Sequence, residues 1–246
     1  MIEFLENQSE ADFGELPNDS ALVKIKSLMG AYGCSYAFLS FWFQKSAIGQ
    51  ITAAICRFES SVIISATNDA DFEELLQFVN VIAYGEIFCK RDLCSKLNLN
   101  VLYDCDELRF ARNSAVQGDS NNIGFTEVYE ILKSGSDGRI ELPPYDDWYV
   151  DFSHRLRHGS ARICAVESCS VAITAYETDK AAIISGVATK PECRGFGHAK
   201  AAVLGICQML QADGKVPIVL VVGNMADYYR KLGFKKTSEF AVAKIN

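Results

Sequence analysis

No apolar run in this chain reaches the ~18 to 20 residues that a membrane-spanning helix needs. The first residues, Met1-Ile2-Glu3-Phe4-Leu5-Glu6, are acidic and lack the basic-then-apolar order of a signal peptide. These two absences lead to the expectation of a cytoplasmic protein with no membrane partner. Metal-binding spacing is missing too: neither Cys89 with Cys94 nor Cys164 with Cys169 forms a C-x₂-C pair. The nine Cys are an odd number scattered through strand-like and helix-like runs. They read as buried free thiols in a reducing compartment, and no metal is expected. His154 and His158 have a helical spacing that could place two imidazoles on one metal. The H-E-x-x-H pattern would need Glu where Arg155 stands, however, and Arg155 and Arg157 repel a cation. A solvated basic face is the expected reading.

What is present is ordinary for a globular protein: 246 residues, 49% hydrophobic and 22% charged, enough for one large domain or two modest ones. The net charge of −7 is unevenly spread. Residues 1–120 carry 9 Lys+Arg against 17 Asp+Glu, and residues 121–246 carry 15 against 14. An acidic first half argues against nucleic acid, whereas a near-neutral second half with local basic clusters accepts one polyanionic ligand.

Periodicity divides the chain in the same way. In the first half a helix is expected over Ala21–Met29, strands over Tyr36–Phe43, Gln50–Phe58 and Val62–Ala66, and a helix over Phe72–Val79. A strand near Ile82–Cys89, a helix near Asp92–Leu97 and a strand near Asn100–Tyr103 follow. Ser114–Gly124 reads as a linker. In the second half helices are expected at Phe125–Lys133 and Tyr145–Arg157, joined by the loop Gly135–Pro144. Strands are expected at Ala161–Glu167, Val171–Glu177 and Ala181–Thr189. A helix at Ala199–Ala212, a strand at Ile218–Val222, a helix at Ala226–Leu232 and a strand at Ser238–Ile245 complete it. The shared order of elements suggests a duplication whose first copy lost its motif. Domains are expected over 1–118 and 119–246.

The informative segment is Val187-Ala188-Thr189-Lys190-Pro191-Glu192-Cys193-Arg194-Gly195-Phe196-Gly197-His198-Ala199. A strand enters a Gly-rich turn and a helix starts at once. Main-chain N–H groups and the helix dipole then converge on one spot, an anion site to which Arg194 and Lys200 add charge. The spacing is not G-x-x-x-x-G-K-[ST], and Lys200 stands where a dinucleotide loop needs its third Gly or Ala. What fits is R-x-x-G-x-A, as Arg194, Gly197 and Ala199, followed about thirty residues later by Tyr229-Arg230-Lys231-Leu232-Gly233-Phe234.

These two motifs, in this order, resemble the pyrophosphate loop and the Y-x-K-L-G-F signature of the GNAT superfamily. The resemblance covers the chain from about Phe125, and Ala226–Ile245 looks most like the FR47-type branch. It implies an α+β fold, a mixed central sheet flanked by helices (the acyl-CoA N-acyltransferase fold), here in two similar tandem domains. It implies an acetyl-CoA-dependent N-acetyltransferase, with the diphosphate on Arg194, Gly195, Phe196, Gly197, His198, Ala199 and Lys200. The pantetheine arm would pair with the strand backbone at Val187, Ala188 and Thr189. An amine would attack the thioester directly, and Tyr229 would give the departing thiolate its proton. The superfamily usually has Asn seven residues before this Tyr; here that position is Val222, and Asn224 is out of register.

The amine's base is open among Glu177, Tyr176, Asp179, Glu127, Glu130 and water. Trp148 reads as core or as a wall of the acceptor pocket, and Cys193 as a spectator. The acceptor is a small-molecule or peptide amine, and a homodimer is open as an assembly. Other readings are a CoA-binding sensor without catalysis, or an acyltransferase for a bulkier acyl-CoA.

Overall fold

The computed structural model describes residues 1–83, 85–112, 123–135 and 142–245. Most of the linker expected at Ser114–Gly124, the boundary at 118/119 and most of the Gly135–Pro144 loop lie outside the described residues. In chain order the elements are β1 (Ile2–Phe4), α1 (Ser20–Tyr32), β2 (Leu39–Lys45), β3 (Ile51–Phe58), β4 (Ser61–Ala66), α2 (Phe72–Ile82), β5 (Ile87–Lys90), α3 (Arg91–Lys96) and β6 (Asn100–Phe110). Then come α4 (Phe125–Gly135), α5 (Tyr145–Arg157), β7 (Ile163–Val166), β8 (Ser170–Glu177), β9 (Ala181–Thr189), α6 (His198–Ala212), β10 (Val216–Val221), α7 (Ala226–Leu232) and β11 (Phe234–Lys244). No helix among the described residues is long and apolar enough to cross a membrane.

Two compact units form. Unit 1 comprises Met1–Glu107, Val221–Ala226 and Lys236–Asn246; unit 2 comprises Leu108–Leu220 and Asp227–Lys235. The end of the last strand thus groups with the first half of the chain, a connection that the contiguous division into 1–118 and 119–246 did not include.

Unit 1 is built on a sheet of order β1-β2-β3-β4-β5-β11-β6, with β2, β3 and β4 an antiparallel meander and β5 parallel to β4. β11 runs antiparallel to β5, from Phe240↔Lys90 to Ala243↔Ile87. Asp19 starts α1 by accepting a hydrogen bond from the Leu22 N–H at 3.0 Å, and Gly33 at φ +68° follows its last turn. The core joins Ile55, Ile64, Leu75, Val79, Ile87 and Leu97 to Ala241 and Ala243 of the returning strand. Each large aliphatic side chain buried here contributes about 1.5–3 kcal/mol.

Two expected strands need correction. Ile82 ends α2 rather than opening a strand, because its apolar residues continue the helix's own periodicity. β6 runs to Phe110, well beyond Tyr103. Its polar stretch concealed the continuation, in which buried Glu107 accepts from the Ser20 N–H and Oγ and from Thr237 Oγ1.

Unit 2 repeats the plan. β7, β8 and β9 form an antiparallel meander, and β10 is parallel to β9. α6 buries Ala202, Val203, Ile206, Cys207 and Leu210. Val128, Ile131 and Leu132 of α4 join Trp148 and Phe152 of α5 in a core with Val171, Ile173 and Ala188. α4 sits close to the sheet because position 186 is Gly. A Cβ there would lie 2.6 Å from Ile173 Cγ1 and 3.1 Å from Leu132 Cδ2.

Candidate functional site

The site forms where the sheet of unit 2 stops being continuous. Parallel pairing of β10 with β9 runs from Val216↔Ala181 to Val219↔Ile184, although β9 continues to Thr189 and β10 to Val221. On its other edge β9 has an irregularity at the same place: Ile173 pairs with Gly186 and Thr174 with Ile184, which leaves Ser185 without a partner on β8. The edge of β9 that carries Val187, Ala188 and Thr189 is therefore beyond the reach of the β10 ladder. Exposed strand backbone of this kind accepts an extended ligand as an added strand would be accepted.

After β9 the chain makes a short 3₁₀ turn at Pro191–Cys193, and Arg194 is extended. Gly195 and Gly197 both take positive φ, +86° and +85°, a conformation that costs a side-chain-bearing residue about 1–2 kcal/mol. Gly197 is the N-cap of α6, and no side chain among the described residues caps that helix. The N–H groups of His198, Ala199 and Lys200 thus begin a helix whose dipole end is not closed by an internal anion. Phe196 is 76% exposed between the glycines. Arg194 Nη2 donates to the Gly135 carbonyl at 3.3 Å, and Lys190 Nζ stands 3.9 Å from Glu127 Oε1. Gly135 is obligatory: a Cβ there would lie 2.7 Å from both the N and the O of Thr189.

The turn is also fastened from the side, which the sequence did not foretell. Cys193 is joined by a disulfide to Cys169, in the β7–β8 turn, with 5.7 Å between their Cα atoms. Lys190 N–H donates to the Cys169 carbonyl at 2.9 Å. The expectation of free thiols holds for the other seven cysteines and is wrong for these two. A 24-residue separation gave no cue; only the hairpin register brings the two together. His198 lies beside them, with Nδ1 3.2 Å from the Cys193 carbonyl and Nε2 3.4 Å from Glu167 Oε2.

Tyr229 lies on α7 with its ring edge-on to Phe234, 5.5 Å between centroids. Burial, with Tyr228 and Cys207 nearby, pushes its hydroxyl up to about 12, so it keeps its proton at neutral pH. Tyr228 is also pushed up by burial, and its hydroxyl has no hydrogen-bond partner among the described residues. Val222 is half exposed at the start of the turn before α7.

A cavity of about 210 Å³ adjoins the β9 irregularity, lined by Ser185, Gly186, Ala175, Trp148, Asp151 and Arg155 among others. Asp151 accepts from Arg155 Nε at 3.0 Å, while buried Arg155 also donates to the Ala175 carbonyl at 3.0 Å. Asp151 was not among the base candidates; its only cue is the i, i+4 spacing to Arg155 on an acidic helix. Glu177, which was, is buried and held by Arg162, by Lys215 Nζ at 2.7 Å and by Thr174 Oγ1 at 3.3 Å. So committed, it is a structural anion. The rings of His154 and His158 lie 4.3 Å apart, tilted by 34°, at the C-terminal end of α5.

Unit 1 keeps the framework without the loop chemistry. β4 pairs in parallel with β5 only at Val62↔Ile87 and Ile63↔Phe88, and a cavity of about 420 Å³ opens beside Ser65, Lys90 and Asp19. The segment into α2 is Thr67-Asn68-Asp69-Ala70-Asp71, without glycine. Asp71 Oδ1 already accepts from the N–H groups of Glu73 and Glu74, and two more carboxylates follow in that turn. An anion is repelled there.

A meander, a helix over an uncapped glycine turn and a parting parallel strand define the acyl-CoA N-acyltransferase fold. Solved structures that share this fold include proteins described as GNAT acetyltransferases. A GCN5-related N-acetyltransferase from Kribbella flavida matches with a TM-score of 0.58 at 10% identity, over 96% of this chain and 97% of that one. A GNAT-family acetyltransferase from Colwellia psychrerythraea matches at 0.57 and 12%, over 100% of both chains. A tandem GNAT protein from the clavulanic acid biosynthesis pathway matches at 0.54 and 9%, over 99% and 98%. No protein-family model and no curated protein matches the chain.

Proposed function

We propose that unit 2 transfers an acetyl group from acetyl-CoA to an amine within a ternary complex. The observation that carries the reading is a coincidence of three features on one strand. The β9–β10 ladder ends at Ile184, the unpaired residue is Ser185, and the same strand runs into the uncapped N-terminus of α6. The diphosphate would sit on the N–H groups of Gly195 to Lys200, with Arg194 beside it. The pantetheine arm would extend along Val187 to Thr189 and bring the thioester to Ser185.

The amine would enter from the cavity at Ser185 and Gly186, where Asp151 offers a carboxylate to an incoming ammonium. The ammonium first gives one proton to Asp151 or to water; the neutral nitrogen then attacks the carbonyl carbon, the tetrahedral intermediate expels thiolate, and the nitrogen's remaining surplus proton leaves to water. Holding both reactants together supplies most of the rate, through proximity. A backbone N–H at the irregularity would stabilise the oxyanion. Tyr229 would donate to the departing sulfur. Full proton transfer to the sulfur is uphill, because a hydroxyl at about 12 sits above an ordinary thiol at ~8.5; Tyr229 would act by hydrogen-bonding the developing thiolate, which leaves as the anion.

The acceptor class is a small-molecule or peptide amine, the location cytoplasmic and the assembly open to a homodimer. The test is calorimetric titration with acetyl-CoA, followed by turnover on a panel of amines with thiol release as readout. Tight binding with no turnover on any amine would favour a sensor. No binding at all would overturn the reading.

A further inference from the structure

The disulfide beside the glycine turn is accompanied by two further donor groups that the transfer chemistry leaves unused. The sulfurs of Cys169 and Cys193 and an imidazole nitrogen of His198 all lie within 4.8 Å of one another. They come from separate elements, the β7–β8 turn, the 3₁₀ turn and the first residue of α6, and are brought together by the register Val166↔Ser170 and Ser170↔Thr189. His198 Nδ1 is 3.2 Å from the Cys193 carbonyl. With Nδ1–H donated there, Nε2 is the nitrogen that faces Glu167, and it would give up its proton to take a metal. This is the outer-shell arrangement that orients metal-bound imidazoles. Glu167 Oε2 lies 3.4 Å from that same Nε2, and Glu167 is 74% exposed on its side chain, so it moves at little cost.

We propose that the reduced chain binds one Zn²⁺ through Cys169, Cys193 and His198 Nε2, with Glu167 as the fourth donor. Two sulfurs, one imidazole and one carboxylate suit a four-coordinate tetrahedral zinc ion. In the oxidised chain the sulfurs are bonded to each other and are not thiolates, so the disulfide and the metal exclude one another. The steps balance. A phosphine reductant takes up the oxygen of water as phosphine oxide and leaves two thiols. Zn²⁺ then displaces the two thiol protons, which appear in solution. The metal would fasten the glycine turn to the β7–β8 turn as the disulfide does, so the fastening survives in either redox state.

The experiment compares the full chain oxidised with the same chain reduced by a water-soluble phosphine and desalted without air. Each is titrated with Zn²⁺ against a chromophoric chelator, and with Co²⁺ to read the thiolate-to-metal charge-transfer band. The reduced chain is expected to hold one more equivalent of Zn²⁺ than the oxidised chain. Cys169→Ser and Cys193→Ser should each lose that equivalent and the Co²⁺ band. His198→Ala should weaken it at least tenfold, and Glu167→Gln by less. Cys94→Ser, at the other close thiol pair (Cys89 and Cys94, 3.4 Å), should leave it unchanged. Equal zinc uptake by the oxidised and reduced chains would overturn the proposal, as would uptake that survives both serine variants. The redox comparison uses the unaltered protein, so it decides the matter even if a variant fails to fold. None of these readouts depends on acetyl transfer.

Discussion

Opening the Cys169–Cys193 bond should destabilise unit 2 by an amount that can be worked out in advance. The bond closes a loop with a sequence separation of 24. In the chain-entropy description a loop of that length removes about 3.4 kcal/mol of unfolded-state freedom at 25 °C. For a chain of this size each kcal/mol moves the unfolding midpoint by roughly 2–4 °C, so the drop should be about 7–14 °C. The assay is thermal unfolding followed by near-ultraviolet circular dichroism, with and without a phosphine reductant. A chelator is present throughout so that no metal replaces the lost bond. A Cys169→Ser/Cys193→Ser double variant should melt near the reduced protein and ignore the reductant. Identical midpoints with and without reductant would refute the reasoning, as would a double variant that still responds to it.

The other predictions concern the site and its degenerate counterpart. Gly197→Val should abolish acetyl-CoA binding in calorimetry, since φ +85° is forced on a β-branched residue at the helix start; unchanged affinity would discard the diphosphate assignment. Tyr229→Phe should leave binding intact and lower kcat about a hundredfold or more. Because burial holds that hydroxyl near 12, kcat should show no alkaline limb from it at pH 8–10. A limb there that vanishes in the Phe variant would contradict the role. Asp151→Asn should raise KM for the amine and leave acetyl-CoA affinity alone, which steady-state kinetics separates. In unit 1, burial holds the Asp19 carboxyl above its ordinary range, with Glu107 adding to the rise and Leu22 and Lys90 opposing it. Its favourable protonated form is therefore fully present below the unfolded value, ~3.9, and lost as pH rises through the folded one. Asp19→Asn keeps the acceptor for Leu22, so its urea midpoint should gain on the parent from pH 4 to pH 7; a gap that does not change with pH would count against this.

Elements whose register is carried by local pattern were legible in the sequence. α5, α7 and β9 begin and end where their apolar spacing and their flanking Gly and Pro residues indicated. The glycine turn was legible for a different reason: two positive-φ residues and an uncapped helix start leave few other sequences possible. What stayed hidden depends on contacts between distant residues. Glu107 lies past the strand expected to end at Tyr103, and only its contacts with Ser20 and Thr237 show it buried and satisfied within β6. Glu177 reads as a free base until Arg162 and Lys215 are seen to hold it. The disulfide pairs residues that only the β7–β8–β9 register juxtaposes.

The placement of the last strand bears on how the chain comes to be made. β5 has the apolar residues Ile87, Phe88 and Cys89, and β11 covers one of its edges. At 5–20 residues per second, the ribosome needs about 6–26 s to add the ~130 residues that separate unit 1's first segment from that strand. Through that interval a row of unpaired amides and carbonyls on an apolar strand is open to other nascent chains. A chaperone that holds the edge, or slow growth temperatures that favour release before collision, should raise the yield of folded protein. A fragment cut in the middle would keep the open edge permanently.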